Sequence, residues 1–491
     1  MATGDAFEQF ETLLRENIES AVENLILPDD DVSWQLINTF QPTSVGGKDT
    51  DGNAGFEASW RVRVQSGGLV TGGTMAGNTI TMLGAGSNLP MQQAADAKYP
   101  DPAQAPMRGW LKMRMLLKRL RGVTTINKTQ IWTQLATDPI EEVAAGHIED
   151  VVALVRHYIT NYFWGDGGGA LAQVNNASGY TILEATPVEV AISGGTPLRF
   201  KKGQRYQAGS TVAYANFGAA TRTQRTGALN GVFRCVSDPT KDRTLFFQSE
   251  PGEGDISLTH TDDLLMHGTF DWNATYVVDA TGVSSGSNVP NGVESLLPST
   301  GNYPGTSYAV TSYPELAAYV EGSETNLEAP EPTVLAEFTD AIADLGLTPP
   351  NVAIAERSIW TLWSQLEREG FSTYQVPQGG AFTASGGISG PILSHQEFDF
   401  HRLHSAKMRP NMLLVTDPTT WKKFMPIGNG AIQWYYRTGT MAGTSSIFGP
   451  VVDGRQVTDM AQAPYDAFVE FGQTHPRRSI RRLGLKARRD L

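Results

Sequence analysis

The sequence predicts an α+β fold, and three parts of the chain support that prediction. Residues 138–164 place apolar side chains at three- and four-residue spacings, which is typical of a long amphipathic helix. Residues 180–275 contain short strand-like runs such as GVFRCVS and TLFFQSE, which indicate a small all-β module. The stretches PPNVAIAERSIWTLWSQL (349–366) and RPNMLLVTDPTTWKKFM (409–425) each predict a buried strand that leads through a polar turn into a helix.

The composition excludes several classes of protein. The chain has 491 residues, of which 40% are hydrophobic and 18% are charged, so it is long enough for several domains' worth of core and too apolar to be disordered. No apolar run approaches the roughly 20 residues of a membrane helix, and the acidic first residues argue against a secretion signal. The single cysteine, Cys235, rules out an internal disulfide and a cysteine zinc cluster. We therefore expect a soluble protein in a reducing cytoplasm.

The first hundred residues predict an arm followed by a hairpin. Residues 5–27 form an amphipathic helix whose stripe consists of Phe7, Phe10, Leu14, Ile18, Val22 and Leu25. From Trp60 the run WRVRVQ alternates like a strand, and NTITMLG (78–84) is its expected return partner. The many glycines between and after them leave little core, so this hairpin should project from the body and gain order from a partner.

The helix of residues 139–164 is the clearest single element. Asp138 is its predicted cap, Pro139 takes the first helical position and Gly165 ends it. At 1.5 Å per residue it would be about 40 Å long, which is long for a single domain. A second amphipathic helix is predicted over residues 331–346.

The sequence contains no convincing catalytic or cofactor motif. The turns AERSIW and TDPTTW have no glycines to hold a phosphate, and Glu356 and Asp417 would repel one. The best metal candidate is HQEFDFHRLH, with His395, His401 and His404, but its polar–apolar alternation favours a strand at a solvated edge, which would put His401 and His404 on opposite faces. We therefore expect no enzyme, no catalytic residue, no cofactor and no metal. A metal-dependent hydrolase using these three histidines is the alternative of another class.

The net charge of −13 conceals two basic segments. Residues 107–128 hold seven Lys/Arg and no acid, and residues 477–491 hold seven more with Asp490 alone as an acid. One interpretation is a nucleic-acid contact. The favoured interpretation is that these segments pair with acidic surfaces of neighbouring subunits, since the rest of the chain is strongly acidic.

The order of these elements resembles the major capsid proteins of tailed double-stranded DNA bacteriophages, the Hong Kong 97 fold. In that family an N-terminal arm, a projecting E-loop, a long spine helix of the peripheral (P) domain and an axial (A) domain follow one another. The Gly165-Asp166-Gly167 turn, the stretch EFTDAIADLGLTPPNVAIAERSIWTLWSQL and the closing YDAFVEFGQTHPRRSIRRL (465–483) are similar to motifs of the family. The segment 180–275 departs from the minimal pattern and is interpreted as an insertion.

The resemblance implies a domain division along the whole chain. It assigns the arm to 1–59, the E-loop hairpin to 60–106, the P domain to 107–179, the inserted β module to 180–275, a loop-rich connection to 276–330, the A domain to 331–454 and a C-terminal strand returning to the P domain to 455–491.

The resemblance also implies a function. The chain would assemble as hexamers and pentamers into an icosahedral virion shell, formed in the bacterial host cytoplasm, that encloses double-stranded DNA without sequence-specific binding. Scaffolding, portal and decoration proteins are expected partners, no membrane is involved, and an encapsulin-like nanocompartment shell is the alternative within the fold. The expected intersubunit contacts are Trp60, Arg61, Arg63, Arg119, Arg121, Arg477, Arg478, Arg481 and Arg482.

Overall fold

The structure is a computed structural model of the 491-residue chain. It describes residues 32–44, 57–65, 73–76, 79–82, 109–127, 153, 155–210, 222–239, 244–270, 272, 277–278, 284–285, 289–304, 308, 310–311, 313–323, 326–330, 350–370, 392–395, 398–425, 434–436, 449–453 and 456–488. The predicted helices at 5–27 and 331–346, and most of the one at 139–164, lie outside these residues.

Helices and strands are both present, so the prediction of an α+β fold is confirmed. The helices are α1 (Val32–Thr39), α2 (155–163), α3 (Val293–Leu296) and α4 (Arg357–Gly370). The strands before residue 200 are β1 (Gln41–Ser44), β2 (Glu57–Gln65), β3 (Gly73–Ala76), β4 (Thr79–Met82), β5 (Gly109–Leu116), β6 (Lys118–Asn127), β7 (Ala170–Val174), β8 (Tyr180–Ile182), β9 (Val188–Glu189) and β10 (Ile192–Ser193).

The remaining strands are mostly short. They are β11 (Arg205–Gly209), β12 (Phe233–Cys235), β13 (Phe246–Ser249), β14 (Ile256–Leu258), β15 (Asp263–Met266), β16 (Val277–Val278), β17 (Ser284–Ser285), β18 (Tyr319–Glu321), β19 (Val352–Ala355), β20 (Ile392–His395), β21 (Phe398–His404), β22 (Leu413–Thr416), β23 (Trp421–Met425), β24 (Trp434–Tyr436), β25 (Gly449–Asp453), β26 (Gln456–Gln473) and β27 (Ile480–Arg482).

The 18-residue strand β26 organises one six-stranded sheet. Strands β23, β24 and β25 pair antiparallel with successive parts of it, and β1 continues the sheet by pairing parallel with β23. Strand β6 pairs with residues 460–469 of β26, over the same stretch that β24 and β25 contact, and so lies along its other edge. Residues 41–44 and 456–473, which are far apart in the sequence, therefore lie in one sheet.

A second six-stranded sheet has the order β18-β27-β22-β19-β21-β20. Its central strand β19 is buried on both faces, which explains its continuous apolar run. Val352 and Ile354 face the main core, whereas Ala353 and Ala355 lie in the cluster with Trp360 and Trp363 of α4. Small side chains on the second face leave room for the two indoles of the helix.

The two strand–turn–helix predictions have different outcomes. At 349–366 the prediction is confirmed by β19 and α4. At 409–425 the buried strand is confirmed as β22 but the helix is wrong, because Asp417 caps a single 3₁₀ turn, Pro418–Thr420, and the chain continues directly as β23. Trp421 lies fully buried in the main core and its indole N–H donates to Thr416 Oγ1 at 2.8 Å, while β23 is held between β1 and β26. Tertiary pairing overrides the local helix signal.

The predicted strand WRVRVQ is confirmed as part of β2, but its expected partner is wrong. Strand β2 pairs with β5, over eight register pairs from Glu57–Leu116 to Gln65–Gly109, and β4 pairs instead with β3. Strands β3 and β4 are separated by two residues, so their closure costs little entropy. Strands β2 and β5 thus form a long antiparallel pair, and the smaller β3–β4 hairpin lies between them in the sequence.

The short strands after α2 form a sheet that closes on itself. Its order is β10-β7-β15-β11-β12-β13-β9, and β9 and β10 are joined by two residues, Val190 and Ala191. The Val190 N–H donates to the Leu245 carbonyl at 2.9 Å, and the Asn175 N–H donates to the Ala191 carbonyl at 2.9 Å. One continuous segment thus pairs on both sides, and we name these seven strands the closed sheet. It begins at Ala170, before the expected start at residue 180.

An aromatic cluster fills the closed sheet. Phe233 and Phe247 meet edge to face with centroids 5.1 Å apart, and Phe200 packs against Phe247 at 5.6 Å and Tyr206 at 5.1 Å. All four rings are no more than 1% exposed, and Cys235 is buried beside them. The closed sheet therefore has its own hydrophobic core, distinct from the main one.

A buried ion pair ties the closed sheet to the turn after α2. Arg222 contacts Asp263 at 2.7 Å, with side chains 2% and 3% exposed, and donates to the Gly168 carbonyl at 2.8 Å. We expect Arg222→Gln to lower the free energy of unfolding by about 3–5 kcal/mol, because it leaves the Asp263 carboxylate buried without its partner. Denaturant unfolding followed by tryptophan fluorescence measures this.

The matched control is Arg205→Gln in the same sheet. Arg205 is 61% exposed and its contact with Glu250 is 3.5 Å long, so its loss should change the free energy of unfolding by about 0–1 kcal/mol. Equal effects of the two substitutions would contradict the assignment of the Arg222 pair as a structural fastener.

Candidate functional site

The paired strands β2 and β5, which we name the ribbon, have two chemically different faces. The inward face is apolar: Ala58 stands opposite Met115, and Trp60 stands opposite Met113. These four side chains are no more than 4% exposed, and Val62 beside them is 1% exposed. The strict alternation along both strands therefore puts one side of the ribbon into the main core.

The base of the ribbon is fixed to the end of β26. The Trp60 ring stacks on Phe424 with centroids 5.2 Å apart, and its indole N–H donates to the Gln473 carbonyl at 3.1 Å. Gly472 is required at this crossing, since a Cβ there would lie 2.8 Å from the Phe424 ring and 3.1 Å from the Trp60 ring. The Tyr303 hydroxyl donates to the same Gln473 carbonyl at 3.1 Å.

The outward face of the ribbon is basic. Arg61 and Lys112 are both exposed and stand directly opposite each other in the register, and the next pair along this face is Ser59 with Arg114. Within the described residues, neither Arg61 nor Lys112 has an ion-pair partner. Like charges directly opposite on a sheet repel each other, so this face is suited to an acidic partner.

Three further basic residues expected at subunit contacts lie in the ribbon and in β6. Arg63 stands opposite Trp110 in the ribbon, and Arg119 and Arg121 of β6 stand opposite Phe468 and Asp466 of β26. Trp60 is buried within its own chain. The expectation that these residues contact another subunit stays a prediction.

Glu470 is a buried carboxylate beside the base of the ribbon. It is 0% exposed, and its Oε1 accepts the backbone N–H of Asn291 at 2.8 Å and of Phe471 at 3.0 Å. Burial raises the pKa of Glu470 to about 7, although the nearby Lys118 ammonium acts in the opposite direction. Burial also lowers the pKa of Lys118. A pKa of about 7 leaves part of the Glu470 carboxyl groups protonated at the pH of a cell.

The C-terminal arginines make contacts within their own chain. Arg478 pairs with Asp417 at 2.8 Å, and Arg482 pairs with Glu321 at 3.4 Å and also with Glu328. Arg481 donates to the Glu294 carbonyl at 3.4 Å, and Arg477 is partly exposed. These contacts fasten β27 to the body. Whether the same residues also meet a neighbouring subunit stays a prediction.

Arg199 joins three segments at the junction of α2, the closed sheet and the second sheet. Its guanidinium donates to the carbonyls of Lys407 at 2.8 Å, Leu171 at 3.0 Å and Trp164 at 3.3 Å, and the residue is 2% exposed. Burial lowers the pKa of Arg199 to about 10, while the Glu294 carboxylate opposes that shift. The contacts are structural, because each one satisfies a backbone carbonyl.

Two carboxylates beside Arg199 respond differently to burial. Burial raises the pKa of Asp166 to about 6, with further contributions from the Glu294 and Asp263 carboxylates. Burial disfavours ionisation of Glu294 as well, but Arg409, which contacts it at 3.0 Å, acts with Arg481 and Arg199 to hold its pKa below the usual value. Glu294 is thus the anionic centre of this arginine cluster.

The histidine run forms a strand, as its alternation predicts. His401 and His404 both lie in β21, where His401 is 6% exposed and His404 is exposed, so they face opposite sides of the sheet. His401 is therefore not at a solvated edge. No group of three or more metal-binding side chains is present among the described residues, including His401 and His404. None of the described helices has the length and apolarity to cross a membrane.

Comparisons with known proteins give matches to solved structures alone. No family model matches the sequence, and no curated protein matches it. The chain is similar to a chain of the cyanophage A-1(L) capsid, with 11% identity, 92% of this chain and 91% of that chain covered, and a TM-score of 0.43. It is similar to the capsid of Ralstonia phage GP4, with 8% identity, 91% and 88% covered, and a TM-score of 0.33.

A third similar structure is the holo-SrpI encapsulin complex from Synechococcus elongatus. The identity is 8%, the alignment covers 93% of this chain and 88% of that chain, and the TM-score is 0.32. Each of the three alignments covers at least nine-tenths of this chain, and the TM-scores are all 0.43 or lower.

Two basic residues of the ribbon are missing from the sequence-based set of contact residues. Lys112 and Arg114 share the outward face with Arg61, and the alternation in WLKMRM would have identified them. The Gln473 carbonyl has no signal in the sequence, because any residue supplies a backbone acceptor.

Glu470 makes stability depend on pH. Because its pKa is raised from 4.5 to about 7 in the folded protein, folding takes up a proton between those values. Its contribution is fully present below pH 4.5 and is lost as the pH rises to about 7. Between these pH values we expect the free energy of unfolding to fall by a few kcal/mol more in the unmodified protein than in Glu470→Gln. One pKa unit is worth about 1.4 kcal/mol.

Denaturant titrations at a series of pH values measure the effect. Glu189→Gln removes one exposed carboxylate and is the matched control, with the pH profile of the unmodified protein expected. If Glu470→Gln followed the same profile as this control, the carboxyl would not be the group that binds the proton.

Proposed function

We propose that this chain is the major capsid protein of a tailed double-stranded DNA phage. It would assemble as hexamers and pentamers into an icosahedral virion shell, with a structural and not an enzymatic role. The single observation that supports the proposal is the ribbon, which is anchored on one face and bears on the other two directly opposed cations that have no ion-pair partner among the described residues. The proposed division of the chain follows the resemblance, from the arm at 1–59 to the returning strand at 455–491.

The outward face of the ribbon is suited to an ionic contact that is not present among the described residues of a single chain. Two-stranded ribbons are marginally stable alone in water, and here the apolar inward face is satisfied by the main core. The outward face keeps Arg61 and Lys112 side by side in a chain whose net charge is −13. The energetically favourable partner for that face is an acidic surface, and other copies of this chain carry such surfaces.

Electrostatic repulsion must be overcome before many copies can associate. Subunits of net charge −13 repel one another, which opposes a shell. An exposed ion pair contributes only about 0–1 kcal/mol, so the ribbon contact gains its effect by repetition over every subunit. The proposal includes scaffolding, portal and decoration proteins as further partners, assembly in the host cytoplasm, and DNA enclosed without sequence-specific binding.

Charge reversal on the ribbon tests the proposal. We expect Arg61→Glu combined with Lys112→Glu to raise the concentration needed for assembly by about tenfold or more, because two attractive contacts become repulsive and about 1.4 kcal/mol is worth a factor of ten. Sedimentation velocity and negative-stain microscopy of the expressed protein measure it, with closed shells or rings expected for the unmodified chain.

The matched control is Arg61→Lys combined with Lys112→Arg, which keeps both charges and should assemble normally. High salt should weaken assembly of the unmodified chain through screening. Thermal unfolding checks that the reversed variant is folded. If the unmodified chain stayed monomeric at all concentrations, the proposed function would be contradicted.

The contents of the particles distinguish a virion capsid from an encapsulin-like shell. Particles isolated from infected cells should contain nuclease-resistant double-stranded DNA if the chain is a capsid protein. A protein cargo in place of DNA would favour the encapsulin-like alternative, and mass spectrometry of the particle contents distinguishes the two.

A further inference from the structure

A cavity of about 780 Å³ lies between the segment that joins β10 to β11 and the second six-stranded sheet. One wall is formed by residues 196–198 of that segment, and another by the first turn of α4. His404 and Ala406 at the end of β21, together with Arg488, complete the lining. Sites for small molecules have volumes of about 300–1,000 Å³, so the cavity is large enough for one.

Hydrogen bonds within the chain hold the walls of the cavity together. Arg199 donates to the Lys407 carbonyl at 2.8 Å, which ties the turn at 196–198 to the chain that follows β21. The Trp360 indole N–H donates to the Leu403 carbonyl at 2.7 Å, which ties α4 to β21. The cavity is therefore formed by the fold itself, as most small-molecule sites are.

Three basic side chains line the cavity. Arg357, His404 and Arg488 come from three separate segments, and all three are exposed. Within the described residues, none of them has an ion-pair partner. Glu356 is the only acid among the described lining residues, so the lining carries an excess of positive charge even with the histidine counted as neutral. Such a lining favours an anion.

Ser358 adds a hydrogen-bonding group to this lining. Its Oγ atom is buried and has no hydrogen-bond partner among the described residues. A buried hydroxyl without a partner is unfavourable, so an oxygen atom of a ligand would satisfy it. Ser358 also lies in the first turn of the 14-residue α4, where the positive end of the helix dipole acts in the same direction.

The remaining lining includes apolar side chains, which restrict the kind of anion. Pro197 and Leu198 are partly exposed to the cavity, and Ala406 is exposed. Arginine forks match the oxygens of phosphate, and two arginines suit a multiply charged phosphate better than a single carboxylate. A nucleic-acid duplex is too wide to enter a cavity of this volume. The lining therefore fits a small molecule with a phosphate at one end and an apolar body.

We propose that this cavity binds a phosphate ester with an apolar or aromatic body, of which a nucleoside phosphate is an example. Arg357 and Arg488 contact the phosphate oxygens, Ser358 Oγ–H donates to one of them, and Leu198 contacts the body of the ligand. In the turn AERSIW the charges of Glu356 and Arg357 cancel, so the turn alone gives no phosphate signal. The excess charge comes from Arg488, which is distant in the sequence. The site does not depend on the proposed self-assembly.

Isothermal titration calorimetry of the full chain in phosphate-free buffer tests the site, with ATP, pyrophosphate and adenosine as separate probes. We expect ATP to bind more tightly than pyrophosphate, which lacks the body, and more tightly than adenosine, which lacks the phosphates. Arg357→Gln combined with Arg488→Gln should weaken ATP binding by about tenfold or more, because two charged donors are lost. Glu356→Gln should strengthen it, because an opposing charge is removed.

The matched control is Arg205→Gln, which removes an exposed cation that does not line the cavity. It should leave ATP binding unchanged, and thermal unfolding checks that every variant is folded. Equal weakening by this control would show general charge attraction and contradict the site. The absence of ATP binding to the unmodified chain would also contradict it.

The other probes test the chemistry of the ligand. Adenosine that bound as tightly as ATP would overturn the role of the phosphate, and pyrophosphate that did so would overturn the role of the apolar lining. A DNA duplex that displaced ATP and bound more tightly would assign the cavity to nucleic acid in place of a small molecule.

Chemical modification of arginine provides a readout that needs no variant. Phenylglyoxal modifies exposed arginines, and mass spectrometry of digested protein locates the modified residues. We expect ATP to protect Arg357 and Arg488 and to leave the modification of Arg205 unchanged. Equal modification of Arg357 and Arg488 with and without saturating ATP would overturn their assignment as phosphate contacts.

Discussion

The backbone carbonyl of Gln473 is the point at which the rest of the structure is fastened. It accepts the Trp60 indole N–H and the Tyr303 hydroxyl, each at 3.1 Å, at the end of the longest strand. Three segments that are far apart in sequence thus meet on one atom, and Gly472 allows the rings to approach closely enough for this. The direction of the ribbon, and with it the position of its cations, follows from this crossing, because the crossing holds the inward face of the ribbon in the main core.

The cations of the chain divide into two groups with different physical roles. Arg222, Arg478 and Arg482 have carboxylate partners within the chain, and Arg199 satisfies three carbonyls, so these residues hold segments together. Removing one partner of a buried contact leaves an uncompensated charge, which makes this group costly to mutate. Arg61 and Lys112 are exposed and oppose each other, so their substitution should affect association far more than folding. Assembly and stability can therefore be altered separately.

How far the sequence predicts the structure depends on the range of the interaction. Alternation identified β2 and β21 correctly, and it implied the split between buried His401 and exposed His404, since a period of two is a local property. Asp417 was correctly identified as a cap, but the helix was wrong because Trp421 is drawn into the core between β1 and β26. The partner of β2 lies more than forty residues away, and nothing local distinguishes β5 from the nearer β4. The basic ribbon face follows from alternation once its partner is known.

The closed sheet limits unwanted strand pairing between crowded molecules. The five inner strands each have a neighbour on both sides, and β9 and β10, which lie in one continuous segment, pair with β13 and β7 respectively. Among the described residues, its unpaired strand edges are limited to the two residues of β9 and the two of β10, which offer a foreign strand little to pair with. In the proposed assembly, subunits would face one another at roughly millimolar effective concentrations, where an open sheet edge would favour strand pairing between neighbours. Each of many closely spaced copies could then carry an extra module of this kind without unwanted pairing between their sheets.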